Sequence, residues 1–431
     1  MSSKTQATAT KEEAKPALVP NLRFPRFSDP WAYEPLSKVL KEHKLKNTKG
    51  RDVFSVSMEY GIVNQIELLG RSYAAADTAH YTIGRRYDVV YTKSPLKAFP
   101  FGVVKQCKFD GEVALSPLYG VFTPPNPHLG LLIEAYFESP NRSKDFLSPL
   151  CQKGAKNTLQ ITNTTFLSGR LPLPTQPAEQ QKIAECLSSV DELIGAQARK
   201  LDALKTHKKG LMQQLFPHEG ETQPRLRFPE FQNAGEWEEE KLDDLLHFQD
   251  GFAFKSTDFV KAQEDATQVI RITDINNKNT NEDKVYIPTA FLEANKLAKY
   301  SVDDGDLLLS LTGAAGFNFF FWNGGPATIN QRTAKVTTKK KSGHALLGLL
   351  EPLIHEKINE RGEGQNNNLS KEFLSTIVLG VPGPAEQQRI ATCLSSLDAL
   401  ITAETQKLES LKTHKKGLMQ QLFPSPEEIE A

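Results

Sequence analysis

Few residue patterns in this chain have the spacing that catalysis requires. Residues 251–256 (GFAFKS) place a lysine and a serine after a glycine, but they lack the glycine spacing of a phosphate-binding loop. Residues 313–316 (GAAG) are too short a glycine run to hold phosphates or a dinucleotide. The sequence contains no HExxH or other paired-histidine metal pattern. We therefore expect no metal site and no catalysis by this chain alone.

Two further patterns fall short of a known chemistry. Ser116 and Ser310 have no histidine partner in an order typical of nucleophilic catalysis. Residues 124–127 (PPNP) differ in order from the Asn-Pro-Pro-aromatic motif of adenine methyltransferases, and no cofactor-binding glycine loop precedes them. The four cysteines have no CxxC spacing, which indicates a reduced compartment and no zinc.

The feature that organises the chain is a long internal repeat. Residues 177–217 and 384–424 are identical at 31 of 41 positions, without a gap, at an offset of 207 residues. Two copies at so long a period indicate a pseudo-two-fold molecule rather than a solenoid.

Both copies of the repeat predict a long helix with one apolar seam. Each begins near a proline with a glutamate in the first turn, and each ends at Phe-Pro. A helix of about 39 residues is about 58 Å long, which favours a spacer or a dimerising strut. The seam positions, spaced alternately by four and three residues, are Ile183, Leu187, Val190, Ile194, Gln197, Leu201, Leu204, Lys208, Leu211 and Leu215, then Ile390, Leu394, Leu397, Ile401, Glu404, Leu408, Leu411, Lys415, Leu418 and Leu422.

The two seams are each other's obvious partner, and two copies in one chain are most simply joined antiparallel. This arrangement can place Lys208 against Glu404 and Lys415 against Gln197. Polar seam residues often fix the register of a coiled coil. The alternative is that both lysines only extend from the edge of the seam to solvent.

A weaker duplication divides the rest of the chain into two domains. LRFPRF at 22–27 corresponds to LRFPEF at 226–231, and a tryptophan follows each. The predicted segments are a disordered leader (1–21), a first domain (22–170), a first spacer helix (171–217), a linker (218–225), a second domain (226–380), a second spacer helix (381–424) and a tail (425–431).

The domain interiors have diverged almost completely. Short β-branched or apolar runs between glycine, proline and asparagine clusters predict strands joined by long loops. We expect an α+β protein, in which two similar α/β domains with mostly antiparallel sheets are separated by two long repeated helices that form an antiparallel coiled coil. Near-identical helices beside unrelated interiors favour two scaffolds for two different targets over neutral drift.

The composition sets outer limits on function. The chain has 431 residues, no apolar stretch long enough to cross a membrane and no signal peptide, so we expect a soluble, cytoplasmic protein. A net charge of +0 does not by itself favour nucleic-acid binding. For such binding, local clusters of basic residues matter more than the net charge. The predicted clusters are Lys93, Lys97, Lys105 and Lys108 in the first domain and Arg332, Lys335, Lys339, Lys340 and Lys341 in the second.

Taken together, these motifs give the chain a resemblance to the specificity subunit of type I restriction–modification enzymes over nearly its whole length. The repeated helices carry it most specifically. The other motifs that carry it are LRFPxF with its tryptophan, GFAFKS at 251–256, GDLLLSLTG at 305–313 and INQ at 329–331.

The resemblance implies two target-recognition domains, each recognising half of a split, asymmetric site in double-stranded DNA. Two methyltransferase subunits would modify adenine N6 with S-adenosylmethionine, and restriction subunits that translocate DNA would add ATP and Mg²⁺. This chain would hold no cofactor and no active site. Domains in successive major grooves lie about 34 Å apart, a separation that a strut of about 58 Å can hold.

Polar residues beside predicted strands are the candidates for contacts with bases. Arginine and lysine suit guanine, and asparagine and glutamine suit adenine. The residues expected to contact DNA are Thr92, Lys93, Ser94 and Tyr119 in the first domain and Thr312, Asn330, Gln331 and Arg332 in the second.

Three alternatives remain open at this stage. A coiled-coil scaffold whose domains bind proteins would suit the near-neutral charge. An enzyme that fuses restriction with methylation would need a methyltransferase module, for which the chain has neither room nor motif. A specificity subunit without a type I cleavage partner would direct methylation only.

Overall fold

The computed structural model describes residues 18–153, 159–218, 221–276, 284–311, 319–339, 350, 353–354 and 371–424. The chain divides into two compact units: the first comprises Met1–Arg199 and Gln406–Ala431, and the second comprises Lys200–Thr405. Each unit therefore contains one globular domain together with part of each long helix.

Among its described residues, the first unit contains two four-stranded sheets, two two-stranded ribbons and four short α-helices. Its elements are β1 (Ala32–Pro35), β2 (Lys41–Glu42), β3 (Val53–Ser57), β4 (Gly61–Asn64), α1 (Gln65–Leu69), β5 (Thr82–Arg85), β6 (Val89–Thr92), β7 (Val103–Gln106), β8 (Glu112–Leu115), β9 (Gly120–Thr123), α2 (Pro127–Phe137), α3 (Pro140–Leu147), β10 (Gln152–Lys153), β11 (Leu159–Gln160), α4 (Asn163–Ser168) and β12 (Arg170–Leu173), followed by the long helix α5 (Pro177–Leu215), which continues into the second unit.

The second unit has a similar content among its described residues. Its elements are β13 (Glu238–Lys241), α6 (Leu242–Leu245), β14 (Leu246–Asp250), β15 (Ala266–Ile270), α7 (Ile272–Asn276), β16 (Val285–Pro288), α8 (Thr289–Ala294), β17 (Ser301–Val302), β18 (Leu307–Ser310), β19 (Phe319–Phe321), β20 (Ala327–Ile329), β21 (Thr333–Thr338), α9 (Lys371–Thr376) and β22 (Val378–Val381), followed by the long helix α10 (Pro384–Leu422), which ends in the first unit.

The two domains share one sheet topology. The order β4-β3-β8-β5 corresponds to β16-β15-β20-β17, the order β2-β9-β6-β7 corresponds to β14-β21-β18-β19, and the β1–β12 ribbon corresponds to β13–β22. In each domain one pair, β3–β8 or β15–β20, is parallel, and the other described pairs are antiparallel. The prediction of two similar, mostly antiparallel domains is confirmed, although their interiors differ in sequence.

Fully buried central strands explain why the domain interiors lack a clear alternation of apolar and polar residues. All four residues of β6 are buried, and so are all four residues of β18. A strand covered on both faces is apolar throughout. In the first domain, the core includes Tyr91 of β6, whose ring stacks on Phe166 at 4.5 Å between centroids.

The halves of the long helices run antiparallel within each unit, as predicted. In the second unit, Lys200 Nζ lies 2.5 Å from Glu404 Oε1, and Lys208 Nζ lies 2.6 Å from Asp398 Oδ1. Ascending numbers on α5 thus meet descending numbers on α10. Every seam position is buried or half-buried in the structure.

The predicted register is wrong. Lys208 pairs with Asp398 rather than Glu404, and Lys415 lies 2.8 Å from Asp191 Oδ1 instead of facing Gln197. Both aspartates stand one position outside the seam, where an extended lysine side chain reaches them. The two pairs are related by the 207-residue offset of the repeat.

No helix in the described part of the chain is both long enough and apolar enough to cross a membrane.

Candidate nucleic-acid interface

The duplicated motifs contact one another within each unit. The Arg23 guanidinium donates to Glu179 through Nε at 2.7 Å and Nη2 at 2.9 Å. Arg227 donates to Glu386 in the same way, at 2.7 Å for each nitrogen. Hydrogen bonding to the glutamate raises the pKa of each arginine. The arginine of LRFPxF therefore fixes its domain to the start of a long helix.

The helix ends contribute a second matched contact. The ring of Phe216 meets Trp237 edge-on at 6.1 Å, and Phe423 meets Trp31 edge-on at 5.9 Å. Leu226 N donates to Gln214 O, and Leu22 N donates to Gln421 O. The repeated motifs thus serve as scaffold, and the candidate interface lies among the residues predicted in the domain interiors.

In the second unit, the predicted residues Asn330, Gln331 and Arg332 form the turn between β20 and β21. Backbone hydrogen bonds connect this turn to the carboxyl-terminal ends of β15 and β18. Asn330 N donates to Ile270 O at 3.0 Å, and Leu311 N donates to Arg332 O at 2.9 Å. Thr312 lies outside the described residues.

The GFAFKS segment lies directly against this turn. Phe252 N donates to Ile329 O at 3.0 Å. A Cβ at position 251 would lie 2.3 Å from Asn330 O and 2.4 Å from Ile329 O, so the close approach requires glycine. Two motifs that carried the family resemblance, GFAFKS and INQ, therefore meet at one place.

A cavity of about 290 Å³ opens at this turn and contains a candidate that the sequence analysis missed. Arg271 and Thr273 follow β15, and they line the cavity together with Ile272, Asn330, Gln331 and Arg332. The only sequence feature that pointed to Arg271 was its place directly after the apolar pair Val269–Ile270. The lining offers guanidinium donors suited to guanine and amide groups suited to adenine.

In the first unit, the predicted residues lie at the equivalent edge. Tyr91 of β6 pairs with Gly120 of β9, so Thr92 comes beside Tyr119 in the turn that follows β8. Burial raises the pKa of Tyr119, against the effect of hydrogen bonds to Val56, Thr92 and Ser55. The strands β6 and β8 correspond to β18 and β20, and Asn330 directly follows β20.

The four first-unit candidates differ in accessibility. Lys93 and Ser94 are exposed, Tyr119 is half-buried, and Thr92 is 4% exposed. The Thr92 hydroxyl accepts from Ser94 N at 3.3 Å and so supports the loop. Beside Lys93 and Ser94, this edge also exposes an apolar side chain, since Leu118 is 72% exposed. The equivalent edges of the two units thus present different chemistry.

The two predicted basic clusters are not continuous cationic surfaces. Lys335 Nζ lies 2.6 Å from Asp306 Oδ2, and Lys339 pairs with Asp243 at 3.6 Å. Lys105 is 4% exposed and contacts two glutamates. Lys340 and Lys341 lie outside the described residues.

Lys105 belongs to a chain of ion pairs that joins the first domain to both long helices. Lys105 Nζ lies 3.4 Å from Glu134 Oε1 and 3.1 Å from Glu138 Oε1, while Lys415 Nζ lies 2.6 Å from Glu138 Oε2. Lys108 Nζ lies 3.2 Å from Glu134 Oε2, an ion pair without hydrogen-bond geometry. With the Lys415–Asp191 contact, the charges alternate throughout.

Within the described residues, no group of three or more histidine, cysteine, aspartate or glutamate side chains could hold a metal ion. The four cysteines Cys107, Cys151, Cys186 and Cys393 are free thiols.

The sequence of this chain is similar to those of known proteins. Residues 234–413 match the family model described as "Type I restriction modification DNA specificity domain". Over 275 residues, the chain is 26% identical to the type I restriction enzyme MjaVIII specificity subunit of Methanocaldococcus jannaschii, covering 61% of this chain and 63% of that protein. Over 182 residues, it is 30% identical to the EcoBI specificity subunit of Escherichia coli, covering 41% and 35%. The chain thus spans less than two thirds of either relative's length.

A solved structure shares the fold. The S subunit of a type I restriction–modification system from M. genitalium superposes with a TM-score of 0.58 at 13% identity, covering 95% of this chain and 100% of that one. The sequence of residues 234–413 is thus similar to that of the type I restriction–modification DNA specificity domain, and the chain shares the fold of this S subunit, in agreement with the resemblance inferred from the sequence.

Proposed function

We propose that this chain recognises a bipartite, asymmetric site in double-stranded DNA, with one domain on each half. The supporting observation is the pair of equivalent strand-end edges. Both are built from the same strand order, yet one presents Arg271, Asn330 and Arg332 and the other presents Lys93, Ser94 and Leu118. A shared scaffold with different side chains at the same edge suits two half-sites of different sequence.

The chemistry would belong to partner subunits. Methyltransferase subunits with S-adenosylmethionine would transfer the methyl group to adenine N6, and restriction subunits with ATP and Mg²⁺ would translocate and cleave DNA. This chain would supply the sequence preference. The target base would still have to leave the helix, and that step would fall to the methyltransferase.

Mapping the methylated adenines in the genome of a host cell, its methylome, tests this proposal. The chain is expressed together with a type I methyltransferase subunit with which it forms a complex, in a host that lacks DNA methylation, with the methyltransferase alone as control. We expect a new N6-methyladenine motif of two short halves around a fixed unspecified gap, present only with this chain. A soluble complex that produces no new motif would contradict the proposal.

One observation favours a second candidate, a scaffold whose domains bind proteins. Several lysines of the predicted basic clusters are engaged in internal ion pairs. The salt dependence of DNA binding separates the two functions. A DNA-binding protein that contacts phosphates loses affinity steeply as salt rises, since counterions are released on binding. A scaffold would show no specific DNA binding at any salt concentration.

A further inference from the structure

Arg271 is held in one orientation by a buried carboxylate. Asp274 accepts from Arg271 Nε at 3.2 Å through Oδ2 and from Nη2 at 3.2 Å through Oδ1. The same Oδ2 accepts from the Arg271 backbone N at 2.8 Å. The Asp274 side chain is 7% exposed and that of Arg271 is 28% exposed. The carboxylate thus determines the plane of the guanidinium.

This orientation decides which edge of the guanidinium faces a ligand. A guanidinium has two edges that can donate in a fork. Asp274 takes the Nε–Nη2 edge, so the Nη1–Nη2 edge points away from the carboxylate. Arg271 also lines the cavity beside Asn330, Gln331 and Arg332. Two-pronged donation by an arginine to O6 and N7 is the commonest specific contact with guanine.

We propose that Arg271 recognises a guanine in the half-site bound by the second domain, and that Asp274 is its positioning residue. The inference rests on the proposed function and adds a base and a residue to it. It is confined to the second half-site. Phe54 pairs with the last residue of β8 as Ile270 pairs with the last residue of β20, so the counterpart of Arg271 is Ser55, which carries no guanidinium.

Modified DNA tests the contact without altering the protein. Once the methylome gives the motif, duplexes carry 7-deazaguanine at each guanine of the second half-site in turn, which removes the N7 acceptor. The complete complex with its methyltransferase is titrated against each duplex. We expect one substitution to weaken binding by about 3- to 10-fold, because O6 still accepts one of the two hydrogen bonds of the contact. The Arg271→Ala variant, which has no donor at this position, should be insensitive to that same substitution.

Variants provide an independent readout in the cell. Arg271→Ala and Asp274→Asn should each relax the motif at one and the same position, while the first half-site stays unchanged. A residue with a merely structural role would lower methylation at all sites without changing the preference at one position. If the alanine variant fails to assemble, the modified duplexes still decide with the wild-type complex.

The outcomes are distinct from those of the proposed function. A wild-type complex that yields no bipartite motif would contradict the proposed function itself. A bipartite motif whose second half contains no guanine on either strand would overturn the role of Arg271 alone. The same holds if 7-deazaguanine has no effect at any position.

Discussion

Arg227 and Glu386 form a buried two-pronged ion pair that reproduces the pair between Arg23 and Glu179. The Arg227 side chain is 8% exposed and the Glu386 side chain is 4% exposed. In the first unit, the corresponding values are 10% and 0%. The partners belong to motifs separated by more than 150 residues of chain. Each pair therefore connects a domain to the beginning of a long helix.

Removing the negative charge from this pair should destabilise its unit. Glu386→Gln leaves the Arg227 guanidinium buried without its counter-charge, and we expect a loss of about 3 kcal/mol in the free energy of unfolding. Urea denaturation followed by circular dichroism measures it. Glu185→Gln is the control, since its side chain is 51% exposed and lies 4.0 Å from Lys182. Equal effects of the two substitutions on the free energy of unfolding would contradict the stabilising role of the buried ion pair.

The repeat provides a matched comparison for the two lysines at equivalent positions. Lys415 is 15% exposed and contacts both Glu138 and Asp191, whereas Lys208 is 25% exposed and contacts Asp398, which is itself 54% exposed. Lys415→Met should cost about 3 kcal/mol, because it leaves a buried carboxylate with less compensation. Lys208→Met should cost less than about 1 kcal/mol. Denaturation curves that rank the two variants in the opposite order would refute this.

Acid should weaken the first unit through Glu138. Burial alone would raise the pKa of this carboxyl, but Lys105 and Lys415 outweigh it and hold the pKa below its ordinary value of 4.5. The carboxylate therefore contributes stability above about pH 4.5, and that contribution is lost as pH falls through the lowered pKa. The stability difference between wild type and Glu138→Gln should be constant from pH 7 to 5 and shrink below. A difference that stays unchanged down to about pH 3 would count against it.

The helices were predictable from sequence because their signal is local and repeated. The apolar seam, the starting proline and the final Phe-Pro fix the extent of α5 and α10 within the chain. The pairing of Lys208 with Asp398 was not predictable, since two seams of nearly equal residues fit several registers. In the structure, Lys415 also contacts Glu138 of the first domain, and the sequences of the two helices alone do not show such contacts with a domain.

Gly251 should be intolerant of a side chain. Alanine there would bring a Cβ within 2.4 Å of two backbone oxygens, so the turn at Asn330 has to move. We expect Gly251→Ala to lose about 1–3 kcal/mol of stability and to impair recognition of the second half-site. Thermal unfolding and the methylome measure the two effects. At Gly235 nothing lies within 4 Å of an added Cβ, and Gly235→Ala should leave both readouts unchanged.

Gly210 in α5 should accept alanine with a gain. Nothing lies within 4 Å of a Cβ at this position or at Gly417, its repeat counterpart in α10. Replacing a glycine inside a helix with alanine reduces the flexibility of the unfolded chain, and we expect a gain of about 0.5–1 kcal/mol from each change. Gly130→Ala is the contrasting control, because its Cβ would lie 2.5 Å from Gln106 Nε2. A lower Tm for Gly210→Ala would contradict the expectation.

The candidate interface of the second unit was only partly predictable. Asn330, Gln331 and Arg332 stood out because polar residues follow an apolar strand. Arg271 did not stand out, since its place beside them depends on the parallel pairing of β15 with β20, which joins strands far apart in the chain. The prediction that Lys105 belongs to an exposed basic cluster is wrong for a similar reason, because its glutamate partners lie on α2 and just after it.

The contact between Phe216 and Trp237 has a different entropic setting from its twin between Phe423 and Trp31. The first closes a short stretch of chain, while the second ties residues near opposite ends of the polypeptide. Closing the longer loop costs roughly 2–3 kcal/mol more in chain entropy if the intervening chain is treated as flexible. Two contacts with the same geometry therefore differ in the chain entropy that is lost when they form from the unfolded state. When the chain refolds, the end of α5 should contact Trp237 before the end of α10 reaches Trp31, and pulsed hydrogen exchange at the two helix ends measures the order.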